Sequence, residues 1–336
     1  MTSTYYTPSH RLRRLRKTPA IRDLVRETHL TTDDLILPLF VDEGLTERQE
    51  ISSMPGVYRE TEDSLPAFLK DCQQHGIHNF ILFGVSHKKD ENGGDSMKKG
   101  GLLDRMISSA KDTLPDSNII ADVCFCEYTD HGHCGPIAKN GDVDNDATLD
   151  NIAQQSLIAA EAGADIIAPS GMMDGQVGSI RGALDESGFE TMPIMAYSSK
   201  FASTYYGPFR DAAGCALGKY DHVAKDRKTY QMDPANAQEA LREAEMDIME
   251  GADMVMVKPG LAYLDILYRV KQTFQMPTFA YNVSGEYAML KAAHANGWLD
   301  YETTMMETLL AFKRAGADGI LTYSAVDAAK ILNETK

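Results

Sequence analysis

The sequence predicts an α/β protein, a (β/α)8 TIM barrel with an extended N-terminal arm, and three observations carry that prediction. Eight short apolar segments follow one another, most of them separated by stretches with helical spacing, as parallel strands joined by crossover helices require. The tripeptide Gly-Ala-Asp recurs at 163–165, 251–253 and 316–318, each time closing a helical stretch just before an apolar segment. Polar residues suited to chemistry gather at the C-terminal ends of the segments, the rim that carries the active site in barrels of this kind. A doubly wound open sheet is the alternative, but no G-x-G-x-x-G turn is present.

Residues 1–30 are rich in Arg and Lys and carry little apolar periodicity, which predicts an arm lying on a neighbouring subunit. Residues 31–336 then form the barrel. Its strands are expected at Leu35–Val41, Phe80–Val85, Ile119–Cys126, Asp165–Ser170, Pro193–Ser198, Met254–Lys258, Thr278–Ser284 and Gly319–Ser324. Helical spacing is clearest at Ala147–Ala162, Ala235–Glu250 and Tyr301–Ala315. The glycine-rich, charged stretch 86–101 reads as a mobile loop without an assigned role.

Two of the strands end in lysine. In Met254–Lys258 an apolar run, buried on both faces, stops at Lys258 before Pro-Gly turns the chain away. An ammonium there is poorly solvated, which lowers its pKa and frees the amine as a nucleophile. Lys200 closes the Pro193–Ser198 segment in the same manner. If both amines open into one cavity they repel, so that at least one titrates low, an arrangement suited to imine chemistry on ketones.

Asp122 to Gly135 (DVCFCEYTDHGHCG) is the second anchor. On a strand, positions i and i+2 share a face, so Cys124 and Cys126 point together while a loop brings Cys134 back. Three thiolates make a soft site for zinc with one position left open, or a closed structural site if His131 or His133 is the fourth ligand. Cys72 and Cys215 have no partner nearby in sequence and read as ordinary thiols. From Phe201 to Asp233 no period is sustained, and a connection of that length in a compact domain is functional. This lid, about 201–233, carries Arg210 and Arg227 with Tyr206 and Phe209, a set suited to closing on an anionic substrate. Ser284, before a helix start, can hold a carboxylate or act as a plain N-cap.

Composition sets the limits. The net charge is −16, so a phosphate-backbone binder is not expected and nucleic acid is set aside as a partner. No run of eighteen apolar residues exists, so no membrane span is expected. Five cysteines, an odd number, argue against a secreted disulfide scaffold. The basic N-terminus lacks an apolar signal core, and a cytoplasmic location is expected over an organelle presequence.

The cysteine-rich stretch, the lysine in SSKFAS, the arginines in YYGPFRDAAG and DRKTYQMDP, the lysine in MVMVKPG and the motif YNVSGEYAM together resemble the porphobilinogen synthase (delta-aminolevulinic acid dehydratase) family over nearly the whole chain. The resemblance implies a (β/α)8 barrel that condenses two molecules of aminolevulinate into porphobilinogen. It implies Schiff bases at Lys258 and Lys200, with Arg210 and Arg227 holding one substrate carboxylate and Ser284 and Tyr323 the other. Asp122, Ser170, Tyr206, Phe209 and Tyr281 would line the pocket. Cys124, Cys126 and Cys134 would bind catalytic Zn2+, and Glu243 matches the position of an allosteric Mg2+ (magnesium) site. The family also implies a homo-octamer whose arms wrap adjacent barrels. Lys219–Lys225 departs from the family pattern as a short insertion in the lid. A Schiff-base aldolase explains one lysine but neither the second nor the cysteines; a zinc-binding scaffold is the non-enzyme alternative.

Overall fold

The computed structural model describes residues 10–334, so the first nine residues of the expected arm lie outside the described residues. Eight parallel strands follow in chain order: β1 (Leu35–Asp42), β2 (Asn79–Val85), β3 (Asn118–Val123), β4 (Ile166–Pro169), β5 (Met195–Lys200), β6 (Met254–Lys258), β7 (Thr278–Asn282) and β8 (Gly319–Thr322). Each pairs with its sequence neighbours, β1 pairs with β8, and β4 and β5 meet through a single bridge at Ile167 and Ile194. The sheet is therefore a closed barrel, as expected, and its strands are buried almost throughout.

The Gly-Ala-Asp repeat has a structural role at the floor of the barrel. Gly163, Gly251 and Gly316 all adopt positive φ at or just after a helix end. A Cβ on Gly163, Gly251 or Gly316 would lie 3.3, 3.1 or 2.9 Å from the Cγ of Lys111, Arg181 or Lys271. Each glycine is thus roofed by the aliphatic stem of a long side chain from another helix. The aspartate then clamps the neighbouring strand: the Asp165, Asp253 and Asp318 carboxylates accept from the backbone N–H of Ile119, Ile194 and Thr278 at 2.7–2.8 Å. The same three backbones return the bond, Asp165, Asp253 and Asp318 N–H donating to Ile119, Ile194 and Thr278 carbonyls.

One irregularity decides where Lys200 points. Between Ala196 and Ser199 the register of β5 against β6 slips by one residue. Tyr197 faces the barrel interior, within reach of Lys258 Nζ at 4.9 Å from its ring centre. Ser198 and Ser199 both turn outward to the helix Ala237–Glu250, Ser198 against Asp247 and Ser199 donating to the Ala240 carbonyl at 3.1 Å. Two outward residues in succession bring Lys200 back inside, opposite Lys258 across the strand pair. Strict alternation from Tyr197 would have sent it into the helix layer.

The described part of the arm holds a short 3-10 turn, Leu12–Arg16, and a helix, Pro19–Leu24, with Leu12 and Leu24 both more than 70% exposed. The loop 86–101, expected to be mobile, instead has partners on the cysteine stretch. Asp90 and Tyr128–Asp130 exchange backbone hydrogen bonds, and a Cβ on Gly93 would meet Phe125 at 2.7 Å.

Candidate active site

The C-terminal rim gathers most of the residues singled out in the sequence. Lys200 and Lys258 end adjacent strands in register, both buried, and both ammonium nitrogens stand over the Tyr197 ring, at 5.5 and 4.9 Å. Their surroundings differ. Lys258 lies among aromatic faces, with Nζ 4.1 Å from the ring centre of Tyr281, 5.0 Å from Phe209 and 5.5 Å from Tyr206. Lys200 lies on the polar side and donates to the Ser170 carbonyl at 2.5 Å.

That difference separates their protonation. Burial, reinforced by the Lys200 charge, pushes Lys258 down to about 7. Burial works to lower Lys200 as well, yet its net direction is upward, because the Cys134 and Cys124 sulphurs and Asp122 favour its cation. One amine is available as a base or nucleophile near neutrality and the other remains an ammonium. Asp122 is itself pushed up to about 7 by burial and by Glu127. It accepts from the Ser170 hydroxyl at 3.1 Å, and the Tyr197 hydroxyl beside it works to favour its charged form.

The three cysteine sulphurs lie within 4.8 Å of one another, all buried. Contrary to expectation, they do not sit on a strand: β3 ends at Val123, and Cys124 and Cys126 lie in the turn that follows. The turn nevertheless holds their sulphurs 3.5 Å apart, because Gln155 donates to the Cys124 carbonyl at 2.8 Å and Tyr128 and Thr129 N–H close back on Phe125. Cys134 is held well below the usual thiol range by the hydrogen bonds of Cys124 and then Cys126, whereas Cys126 is pushed up by its bonds with Cys124 and Cys134. A buried cluster that keeps one sulphur anionic and holds protons on the others fits a soft divalent cation, which replaces those protons on binding. Neither histidine closes the cluster: His131 Nε2 pairs with the Glu91 carbonyl, and His133 pairs with Tyr230 and the Ala224 carbonyl. Among the described residues this is the one group of three or more such side chains able to hold a metal. Glu243 lies elsewhere, half-buried on the helix Ala237–Glu250, and is pushed up by burial and then by Asp174 and Glu239.

The lid, read as aperiodic, contains a 3-10 turn (Thr204–Tyr206) and a short helix (Gly207–Ala212) and lies down over the rim. Tyr206 donates to the Lys258 carbonyl at 3.0 Å, and Met232 N–H donates to the Lys200 carbonyl at 3.1 Å, so both lid ends are fastened to the lysine backbones. Arg227 is buried and donates to the Gly132 carbonyl at 2.7 Å, while the Nε of Arg227 and that of Arg210 have no partner. Residues 219–225 dock on the cysteine stretch and on the loop that follows it, with Tyr220 donating to Asp130 at 2.5 Å and Ala224 N–H to the Gly141 carbonyl at 2.9 Å. Ser284 is the first residue of its helix, after Val283 at the cap position, and so is not an N-cap. Its hydroxyl accepts from Phe209 N–H at 3.0 Å and donates to the Tyr205 carbonyl at 3.3 Å, joining helix to lid. Tyr323 meets the Tyr281 hydroxyl at 3.2 Å.

Several residues of this site escaped the sequence reading. Tyr197 lies under both amines, and no local motif distinguishes it from a core tyrosine. Gln231, buried at the end of the lid, has neither amide atom paired. Cys215, read as an ordinary thiol, is buried in the lid and lowered to about 7, first by hydrogen bonding with Cys126. Cys72, by contrast, is a core thiol, pushed up to about 12 by burial.

Comparison with known proteins agrees with this geometry. The family model for delta-aminolevulinic acid dehydratase matches residues 9–331. Proteins described as delta-aminolevulinic acid dehydratase from Halalkalibacterium halodurans and Escherichia coli are 53% and 49% identical to the chain, covering 97% and 95% of it and 98% and 97% of themselves. A crystal structure of delta-aminolevulinic acid dehydratase from Toxoplasma gondii, in complex with the reaction product porphobilinogen, superposes with a TM-score of 0.94 at 43% identity over 99% of this chain and 94% of that one. A barrel carrying two interior lysines beside a thiol cluster, matched end to end by these relatives, belongs to the delta-aminolevulinic acid dehydratase family.

Proposed function

We infer that this chain is a porphobilinogen synthase, a lyase that condenses two molecules of aminolevulinate into porphobilinogen with loss of two waters, in the biosynthesis of porphyrins such as haem. The observation that carries the reading is the pair of buried lysines, one pushed to about 7 and the other kept protonated, under one lid. Lys258, within its aromatic walls, attacks the ketone of the aminolevulinate that supplies the propionate side. The imine it forms withdraws electrons from the neighbouring carbons and acidifies their C–H bonds. Lys200 forms the second imine, with the aminolevulinate that supplies the acetate side. Arg210 and Arg227 hold the carboxylate of that substrate, and Ser284 and Tyr323 hold the other. Asp122 and Ser170 orient the Lys200 side and relay protons, while Tyr206, Phe209 and Tyr281 exclude water. Binding both substrates in one cavity makes their joining effectively intramolecular, worth several kcal/mol of the barrier.

The metal fits Cys124, Cys126 and Cys134, and zinc is the assignment that three thiolates favour. When bound there it supplies Lewis-acid polarisation next to Lys200. Glu243 is proposed to contribute to an allosteric magnesium site, on family resemblance. The same resemblance supports a cytoplasmic homo-octamer in which residues 1–30 pack on a neighbouring barrel and about 201–233 serve as the lid; the exposed leucines of the arm suit such a contact. No helix among the described residues is long and apolar enough to cross a membrane.

Incubation with aminolevulinate should yield a pyrrole that reacts with an acidic aldehyde reagent; an aldolase or a scaffold yields none. Borohydride trapping of the imine adds a pH test. A lysine lowered from its ordinary value is neutral above its folded pKa, so the initial rate of trapping at Lys258 should rise through about pH 7 and level off above it. A midpoint near 10 would remove Lys258 from the nucleophilic role.

A further inference from the structure

A buried carboxylate joins the strand ends on one side of the rim. Glu286 lies in the first turn of the helix Ser284–Ala295. One of its oxygens accepts from Val283 N–H at 3.0 Å and from the Asn282 side-chain amide at 3.1 Å. The other accepts from Leu261 N–H at 2.8 Å and Ala262 N–H at 3.4 Å. The bond to Val283 caps the helix, the ordinary duty of a glutamate at this position. The bonds to Leu261 and Ala262 serve no such local purpose, for they reach the turn that leaves β6, three residues beyond Lys258. That turn is pressed on β7, since a Cβ on Gly260 would lie 2.9 Å from the Tyr281 carbonyl.

The bonding continues in the other direction. The hydroxyl of Thr322, the last residue of β8, accepts from Ser324 N–H at 3.2 Å and donates to Asn282 Oδ1 at 2.9 Å. With Oδ1 so taken, the amide nitrogen of Asn282 is left for Glu286. Thr322, Asn282 and Glu286 are all buried, and the line they form crosses the ends of β8, β7 and β6. At those same ends stand Tyr323, Ser284 and Lys258, which are assigned above to the carboxylate and the ketone of one substrate. We propose that Glu286 is a positioning residue that sets the span from the Lys258 amine to the carboxylate seat at Ser284 and Tyr323. It thereby selects an acid whose ketone stands two methylenes from its carboxylate. A shift on the order of 1 Å between two such anchors is enough to cost about 100-fold in a preorganised site. The inference rests on the roles proposed above for Lys258, Ser284 and Tyr323.

The test is borohydride trapping at Lys258 in the full-length protein, quantified by peptide mass spectrometry with three ketones. The first, 4-oxopentanoate, has the substrate spacing but no amine; 5-oxohexanoate is one methylene longer; butanone has no carboxylate and reports the reactivity of the amine alone. The wild type should trap 4-oxopentanoate fastest. Glu286→Asp retains the charge at the helix start but is too short to span to Leu261. Its preference for 4-oxopentanoate over 5-oxohexanoate should fall about tenfold or more, while its butanone rate stays within about twofold of the wild type. Thr322→Val, a substitution of equal shape at the far end of the line, should lower the preference by about threefold or more. A preference unchanged in a folded variant overturns the proposal, as does equal slowing of all three ketones, which a merely structural role would give. Absence of any Lys258 adduct in the wild type would instead remove the nucleophile assignment, and this proposal with it.

Discussion

Lys258→Ala is expected to abolish pyrrole formation while leaving the barrel folded. The loss should be on the order of 10^4-fold or more, the scale seen when a covalent nucleophile is removed from a preorganised site. Folding should be spared because the substitution deletes an amine that burial already disfavours in its charged form, from a pocket walled by Tyr197, Tyr206, Phe209 and Tyr281. Circular dichroism and a product assay on the same sample check both halves of the claim. Lys200→Ala makes the contrast: it should lose turnover as well, yet still give a borohydride-trapped adduct at Lys258. Lys258→Ala with even a tenth of the wild-type rate would end the assignment.

Removing metal should have an effect of similar size, but a reversible one. Chelation leaves a buried cluster in which Cys134 alone is held well below the ordinary thiol range, and activity should fall to background. Added zinc should restore it, and magnesium alone should not. Cys134→Ser removes the sulphur that holds the negative charge, and it should bind no stoichiometric zinc by elemental analysis. Full activity in protein shown to be metal-free would refute the catalytic role of the cluster, whatever its affinity for zinc.

The order of strands and helices was legible because it depends on periodicity, which local sequence records. The lysines at the ends of β5 and β6 were legible because an apolar run that stops at a cation is conspicuous. The cysteine stretch was legible as a ligand set but not as a shape: alternation along a strand gave the right neighbours for the wrong reason, since Cys124 and Cys126 sit in a turn held by Gln155 from a distant helix. The lid was legible as a long aperiodic connection but not in its shape, because its contacts are made with other segments, at Gly132, Asp130, Gly141 and the two lysine backbones. Cys215 and Tyr197 were invisible for that reason as well.

The slipped register of β5 has a consequence for how such a site can be gained or lost. Pairing β5 evenly with β6, with Ser198 and Ser199 on opposite faces, would leave every chemically active side chain in the protein, yet the regular pleat so restored would swing the terminal amine of that strand out among the helices. A barrel with a single interior amine would remain, competent for one imine at a time. Chemistry on two ketones at once therefore depends on the count of residues along one edge as much as on which residues they are.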